Sequence, residues 1–282
     1  MSSAAELRRY DPLVEDDAHY LKSRSVLRLD PRQAPALQRL LTASLDRLES
    51  GCVFALHVDH EGTIVADVFI VEFEGDVLID CDGEDASALK EGLANGGVSV
   101  QDVSNDWRVF AELPNQSTSS DGPPFIRVSD PRRRELGARV YRRAEPREST
   151  AWRHQGLYLA HANRLGIPPR SALLRQFGVD PIEAQLHALC ALDAVHVSPE
   201  LAERLREGRG PQRRLLPFRV EPTGLALPDM NGAPLLADEA AIGVAMTRQG
   251  LFGLGLVELA SWRRALRDGL QVRCAGEPVL VT

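Results

Sequence analysis

Lysine is almost missing from this 282-residue chain, which contains only Lys22 and Lys90. Nearly all of its positive charge is therefore carried by arginine, whose planar guanidinium group binds carboxylates and phosphates through paired hydrogen bonds. The formal net charge is −7, and aromatic residues make up only 5% of the chain, with none interleaved among basic residues like a base-stacking surface. The negative net charge and the lack of aromatic residues among the basic ones argue against nucleic acid as a partner.

Cysteine is also sparse, and its spacing is uninformative for metal binding. The four cysteines form no CxxC pair; they are Cys52, Cys81, Cys190 and Cys274. We therefore expect no metal or cluster cage built by this chain alone, and we expect reduced, buried thiols. The run His57–Glu61 contains metal-ligand residue types, but they alternate along a strand and then enter a turn, so they should not converge.

Long apolar runs and common catalytic motifs are missing as well. No apolar run approaches the roughly 18 residues of a membrane-spanning helix, so no membrane partner is expected. The N-terminus is rich in acids and lacks an apolar signal core, which favours a cytoplasmic protein, or one of the mitochondrial matrix in a eukaryote. The chain has no GxSxG, no Walker A motif and no GxGxxG after a strand.

Charge is distributed unevenly along the chain. Residues 1–110 carry 21 acids against 10 bases, whereas residues 132–175 carry 11 arginines against three acids. The arginine-rich segment has two interpretations: it serves an anionic ligand or partner, or its side chains are simply solvated.

The stretch Val53–Phe73 is the centre of the predicted fold. Two runs rich in Val, Ile and Phe flank a Gly-containing turn, which predicts a β-hairpin. In the second run, Asp67 lies on an apolar strand face, and the opposite face is apolar too. A carboxylate buried there must either be satisfied internally or receive a ligand.

The order of the remaining elements predicts an α+β protein with two main parts. Strands and short helices alternate as far as Leu113. Two of these helices have predicted starts: Asp30, Pro31 and Gln33 form a capping box before a leucine stripe that ends near Leu48, and Asp85 can cap a short helix. Helices dominate from about Thr150 to Gly208. From Leu215 onward, short apolar runs broken by Gly and Pro indicate a small β-barrel. We therefore expect an N-terminal extension (1–22), a large region of antiparallel sheets with packed helices (23–212) and a C-terminal β-barrel domain (213–282).

Several motifs, in order, resemble one known family. They are FALHVDHEGTIVADVFIVEFEGDVLIDCD, DPRRRELGARVYRR, GLYLAHANRLGIP, IEAQ and RRLLPFRV. Their order and spacing are similar to those of YgfZ-type folate-binding proteins, relatives of the glycine-cleavage T-protein, an aminomethyltransferase. The resemblance runs through nearly the whole chain from about Ser23 and implies a GcvT-like folate-binding fold.

The resemblance also implies site residues. It places Asp67 and Glu183 on the family's aspartate and glutamate, and Glu200 on the glutamate of its signature KGC(Y/F)(I/V)GQE. These three residues are the predicted tetrahydrofolate-binding residues, with no catalytic residue and no metal ligand assigned. If Asp67 lines the pocket, Asp67→Asn should weaken folate binding by about 1–3 kcal/mol while the fold persists.

The chain departs from the family at the signature cysteine. The segment LDAVHVSPE takes that place, and Val195 stands where the thiol is expected. A cysteine at a helix N-terminus would be reactive, and valine cannot replace it. Cys190, five residues earlier, could substitute only if the loop is rearranged.

Three functions follow from the resemblance. The first is a tetrahydrofolate-binding accessory protein for iron–sulfur cluster assembly or maintenance, with assembly or client proteins as partners. The second is a folate-dependent aminomethyl- or methyltransferase. The third is a non-catalytic paralogue that acts as a binding or scaffold protein, which the missing cysteine favours over the family's cysteine-dependent activity.

Overall fold

The computed structural model describes residues 18–59, 63–114, 125–144, 153–168, 171–189, 191–193, 197–207 and 211–282. Its strands are β1 (His19–Tyr20), β2 (Arg24–Leu29), β3 (Val53–Val58), β4 (Ile64–Phe73), β5 (Asp76–Asp82), β6 (Val100–Asp102), β7 (Trp107–Glu112), β8 (Phe125–Ser129), β9 (Ala138–Arg143), β10 (Arg153–His154), β11 (Arg213–Val220), β12 (Pro234–Ala237), β13 (Ala240–Gln249), β14 (Phe252–Glu258), β15 (Val272–Cys274) and β16 (Glu277–Val281). Its α-helices are α1 (Ala34–Gln38), α2 (Ala86–Asn95), α3 (Gly156–Arg164), α4 (Ser171–Gln176), α5 (Pro199–Glu207) and α6 (Leu259–Arg267).

The first sheet contains the central hairpin and is covered on both faces. Its strand order is β3-β4-β5-β2-β6, and every pairing is antiparallel. One face packs against α1 and α2, where Leu37, Leu89 and Leu93 are buried. The other face, which carries Asp67 and Phe69, points into the core shared with the rest of the molecule. As predicted, β4 is buried on both sides over most of its length.

The second sheet has the order β10-β1-β7-β9-β8. All of its pairings are antiparallel except the short parallel pair of β1 with β10. Buried residues of β7 and β9, such as Val109 and Tyr141, join the shared core.

The C-terminal strands form a closed six-stranded barrel in the order β11-β14-β13-β12-β15-β16. Alternate residues of β11 divide between two cores: Leu216 and Phe218 fill the barrel, whereas Leu215 packs into the shared core. Gly253 is required by this packing, since an added Cβ would lie 2.2 Å from the Phe218 ring. The antiparallel sheets, packed helices and barrel confirm the predicted α+β class.

Three helix predictions need correction. The Leu-rich stretch predicts one helix from Pro31 to about Leu48, but α1 ends at Gln38 and a separate 3₁₀ segment spans Leu45–Ser50. The helix is interrupted between these segments because the buried Thr42 hydroxyl bonds to other parts of the fold. It accepts a hydrogen bond from Leu56 N–H (2.9 Å) and donates one to Ala191 O (2.6 Å).

The other two corrections concern the start of one helix and a helix that was not predicted. The helix predicted from about Thr150 begins at Gly156 in the described residues, after β10. Helix α6 is absent from the prediction altogether, because its buried residues, Leu259 and Ala265, are too few to show a long apolar stripe. No helix in the described part of the chain has both the length and the apolar character needed to cross a bilayer.

Candidate functional site

A cavity of about 520 Å³ lies where the first sheet, two helices and the barrel meet. The first sheet contributes Ser23, just before β2, and Asp82, the last residue of β5. Residues in and beside helices α3 and α4 form a second wall. Strand β13 and the loop before β12 form the third. Its lining residues are Ser23, Asp82, Gln155, Leu159, Asn163, Leu173, Gln176, Phe177, Asn231, Gly232, Met246, Thr247 and Gln249.

Helical spacing explains the contribution of α3 to this cavity. Gln155, Leu159 and Asn163 recur every four residues, so they lie on one face of the helix. Leu157, which lies off this face, is 65% exposed. Helical spacing predicts that these three residues share a face, but nothing in the sequence marks that face as a cavity wall until the barrel is packed opposite α3.

The lining is rich in neutral amides and poor in charge. Five of its side chains are Asn or Gln, and Asp82 is the one ionisable residue among the described lining residues. Asn163 is 1% exposed, and its Nδ2 donates to Phe252 O at 3.2 Å. Its Oδ1 is buried without a hydrogen-bond partner in the described part of the chain. Buried polar atoms are normally paired, so this oxygen indicates a missing ligand or solvent partner.

A buried ion cluster lies beside the cavity on the same face of the first sheet. Asp80 accepts hydrogen bonds from Arg24 Nε (2.6 Å), from the Arg139 guanidinium and from Tyr141 Oη (3.1 Å). Burial alone would raise the pKa of Asp80, but the Arg139 and Arg24 charges outweigh it, and the pKa lies below its ordinary value. The carboxylate therefore stays ionised inside the core.

A second buried pair extends this cluster. Arg132 donates to Asp130 through Nε (3.0 Å) and Nη2 (2.8 Å), and Nη2 also donates to Tyr158 Oη (2.7 Å). Burial acts to raise the pKa of Asp130, but Arg132 and Arg139 together outweigh it, and the pKa lies below its ordinary value. Two prominent arginines of the 132–175 segment, Arg132 and Arg139, are thus neither solvated nor free for an anionic ligand.

Asp67 is satisfied internally. Its Oδ1 accepts the Ser171 N–H at 2.9 Å, and its Oδ2 lies 3.7 Å from Arg24 Nη1. The neighbouring pair Val68↔Cys81 fixes the register, so Asp67 and Asp82 follow side by side on β4 and β5. Asp82 lines the cavity, whereas Asp67 is not among its lining residues. Asp67 lies on β4, one strand further from the cavity than Asp82. Its carboxylate accepts a hydrogen bond from Ser171, the first residue of α4.

Ser171 connects two carboxylates to α4. Its hydroxyl donates to Asp85 Oδ2 at 2.8 Å and accepts the Asp67 N–H at 3.1 Å. Arg175, one turn later, donates to the other oxygen of Asp85 and to the carbonyl of Ile64 (3.2 Å). These bonds fix α4, and with it the cavity residue Phe177, against the first sheet.

Glu183 lies at the start of the barrel and not in the cavity lining. Its carboxylate makes a bidentate pair with Arg213, with both N···O distances 2.9 Å, and its carbonyl accepts the Leu215 N–H. The hydrogen bond to Glu183 and the nearby negative charge raise the pKa of Arg213. The side chain therefore joins the large region to β11.

Glu200 is exposed near the start of α5 and is not in the cavity lining either. The structure thus distributes the three predicted site residues over the ion cluster, the barrel junction and the surface. Val195, His196 and Cys190, on which the signature comparison depends, lie outside the described residues.

This fold is shared with a solved structure. The aminomethyltransferase T of the glycine cleavage system from Bartonella henselae matches over 96% of this chain and 86% of that chain, with a TM-score of 0.55 and 14% identity. No family model matches the chain, and no curated protein matches it. At this identity the likeness shows that the chain has the GcvT-like fold.

Proposed function

We propose that this chain binds tetrahydrofolate in the 520 Å³ cavity between the large region and the barrel. The observation that carries the proposal is the buried Asn163 Oδ1, which lines the cavity and has no hydrogen-bond partner in the described residues. The volume falls in the usual range for small-molecule sites, roughly 300–1,000 Å³.

The lining also fits the chemistry of a reduced pterin. Such a ring presents hydrogen-bond donors and acceptors around its edge and apolar faces above and below. Asn and Gln side chains can meet both kinds of polar atom, and Leu159, Phe177 and Met246 supply apolar contact. Bound tetrahydrofolate would supply a carrier for one-carbon units, and the residues described here would bind and orient it.

On this proposal the protein is an accessory factor for iron–sulfur cluster assembly or maintenance, acting with assembly or client proteins. The YgfZ-like motif order supports this role, as does the GcvT-like fold. We further propose that Val195 marks a divergent member without thiol chemistry at the signature position. Asp67, Glu183 and Glu200 remain predicted folate-binding residues, and the geometry favours positioning roles for the first two.

The direct test is calorimetric titration with tetrahydrofolate, using a matched pair of variants on α3. Leu159→Trp places a bulky ring in the cavity and should weaken binding by about tenfold or more. Leu157→Trp changes an exposed position on the same helix and should leave the affinity unchanged. Absence of binding in the folded wild-type protein would reject the folate proposal and leave the scaffold reading.

A transferase is the second candidate, and the shared fold with an aminomethyltransferase is the observation that favours it. Turnover of an aminomethyl or methyl donor with tetrahydrofolate would establish it. Binding without turnover, together with rescue of a strain that lacks its YgfZ-type protein, would support the accessory role.

A further inference from the structure

We infer that the outer face of helix α6 is a docking surface for an acidic segment of a partner protein. This face, called the α6 surface below, comprises four exposed side chains: Arg263, Arg264, Leu266 and Arg267. None of the four lines the cavity, so docking here does not depend on tetrahydrofolate binding.

Helix α6 connects β14 to β15 and packs on the barrel. Its residues Leu259 and Ala265 are buried in the barrel core. Arg263, Leu266 and Arg267 follow one another at i, i+3 and i+4, so they form one stripe along the exposed side of the helix. The stripe places one exposed leucine between two arginines.

The α6 surface carries positive charge that the described chain does not neutralise. The nine residues of α6 include three arginines and no acid. Among the described residues, Arg263 and Arg264 have no ion-pair partner, and Arg267 pairs only with its exposed neighbour Asp268, at 3.4 Å. Like charges at i, i+3 and i+4 repel each other along a helix. Carboxylates from a partner would remove this repulsion.

Two buried donors near α6 also need an acceptor. They are Trp262 Nε1 and Arg214 Nε, which have no hydrogen-bond partner in the described part of the chain. Trp262 belongs to α6, and Arg214 lies opposite Val257, two residues before the helix begins. Buried polar atoms are normally paired, so this end of the barrel is rich in donors and short of acceptors. An ionised carboxylate is an acceptor-only group and therefore has the complementary chemistry.

The chemistry of the α6 surface favours a protein segment over other anions. A long polyanion such as nucleic acid would extend beyond α6 and meet a chain whose formal net charge is −7, whereas a short acidic segment meets only the local positive charge. A membrane-binding helix inserts its apolar face into lipid, but the apolar residues of α6 are already packed in the barrel core. Leu266, which is 57% exposed, offers an apolar contact among the charges. Acidic side chains around an apolar one match this arrangement.

The first experiment measures the fluorescence anisotropy of a fluorescein-labelled peptide of Glu, Leu and Gly mixed with the full chain. We expect binding that weakens as salt is added, because the pairing charges are exposed. The double variant Arg263→Glu with Arg264→Glu should lower the affinity by about tenfold or more. Its matched control is Arg133→Glu with Arg134→Glu, which makes the same change in net charge at another adjacent pair of exposed arginines and should bind within about twofold of the wild type.

The second experiment tests the apolar contact with Leu266→Ser. This variant should bind the leucine-containing peptide about three- to tenfold more weakly than the wild type does. A peptide of Glu and Gly alone should bind the variant and the wild type equally. Circular dichroism should show that all of these variants are folded, because every substituted side chain is exposed.

Three results would overturn the inference. The first is no peptide binding to the wild type at low salt. The second is an equal loss of affinity in the α6 double variant and its control, which would reduce the attraction to net charge alone. The third is tighter binding of a DNA duplex or of phosphatidylserine vesicles than of the peptide, which would give the α6 surface a different class of partner.

Discussion

Phe69 lies among three arginine side chains in the core. The guanidinium carbons of Arg139, Arg132 and Arg24 are 3.6, 4.8 and 5.4 Å from its ring centroid. An aromatic face attracts cations, so the ring helps to hold these charges where water is excluded. The carboxylates supply the remaining compensation, because an unpaired buried charge is strongly unfavourable.

The first prediction concerns Asp80, whose pKa is lowered in the folded protein by its two arginines. A depressed carboxyl pKa contributes stability above the unfolded-state pKa, about 3.9, and this contribution is lost as the pH falls through the folded value. The free energy of unfolding should therefore decline below about pH 4. Asp80→Asn should lower it by about 3–5 kcal/mol at pH 7.

Urea denaturation between pH 2 and 8 provides the measurement for Asp80. The control is Asp76→Asn on the same strand, where the half-exposed carboxylate pairs with the half-exposed Arg28 at 3.5 Å, so the change in stability should be small. Should Asp80→Asn be too unstable to purify, Tyr141→Phe removes the hydrogen bond from Tyr141 Oη to the same carboxylate and the one that Tyr141 Oη accepts from Arg139 Nε, and it should cost about 1–2 kcal/mol. Equal stability of both variants and the wild type at pH 7 would contradict a stabilising role for the cluster.

The second prediction separates the two roles of Asp67. Asp67→Asn retains an oxygen for the Ser171 N–H but removes the charge 3.7 Å from Arg24. We expect a stability loss of about 1–3 kcal/mol, because Arg24 loses part of its compensation. Calorimetric titration should then show a smaller loss of tetrahydrofolate affinity than Leu159→Trp does. A larger loss of tetrahydrofolate affinity for Asp67→Asn would show that Asp67 contacts the ligand directly.

At the scale of elements, the docking of α4 depends on hydrogen bonds to distant strands more than on its own six residues. Ser171→Ala removes a hydroxyl that is bonded to both Asp67 N–H and Asp85, so we expect the protein to lose about 1–3 kcal/mol of stability. The amide hydrogens of α4 should exchange faster as a result. Ser198→Ala, which removes a cap at the exposed start of α5, should leave the exchange of α4 unchanged.

The same region shows what sequence patterns can and cannot predict. Asp85 is predicted to cap α2, and the helix does begin at Ala86 with its predicted apolar face. The cap itself is wrong, because the Asp85 side chain bonds Ser171 and Arg175 instead. The capping box predicted for Gln33 is also wrong, since its Oε1 accepts the Ser99 N–H at 2.7 Å. Periodicity reports the faces of an element, whereas polar side chains choose partners that only the tertiary fold brings near.

The residues of the candidate site show the same limit of sequence patterns. The strand hairpin and the buried position of Asp67 could be predicted from alternation alone. Asp82 and Asn163 could not, since nothing local distinguishes them until β5 is placed beside β4 and the barrel is placed against α3. The resemblance identified the fold, but the cavity lining depends on packing between parts that are far apart in sequence.

At the scale of the whole molecule, the large region and the barrel share one core and one bidentate ion pair at their junction. Glu183→Gln should weaken the pair with Arg213 and lower stability by about 1 kcal/mol, a modest value because Arg213 is 43% exposed and screened by solvent. If Glu183 only holds the junction, tetrahydrofolate affinity should not change. A fall in affinity without loss of stability would instead support the predicted binding role.

Glu200 provides the comparison for this measurement. Because it is exposed, Glu200→Ala should change stability by no more than about 0.5 kcal/mol. Reduced tetrahydrofolate affinity in this variant would restore Glu200 to the binding site.

The final prediction is that folate binding and cellular rescue do not depend on a thiol. Burial raises the pKa of Cys52 to about 12, and it also raises the pKa values of Cys81 and Cys274. Since the thiolate is the reactive form, iodoacetamide should leave these three cysteines unmodified in the native protein. Mass spectrometry would identify the modified positions.

The fourth thiol, Cys190, is tested by substitution. If Val195 occupies the signature position, as we propose, a folded Cys190→Ser protein should bind tetrahydrofolate with unchanged affinity and should rescue a strain lacking its YgfZ-type protein as well as the wild type does. The buried Cys274→Ser variant controls for a general effect of removing a thiol. Loss of rescue confined to Cys190→Ser would show that this cysteine performs the thiol chemistry, and the divergent, thiol-independent reading would then be wrong.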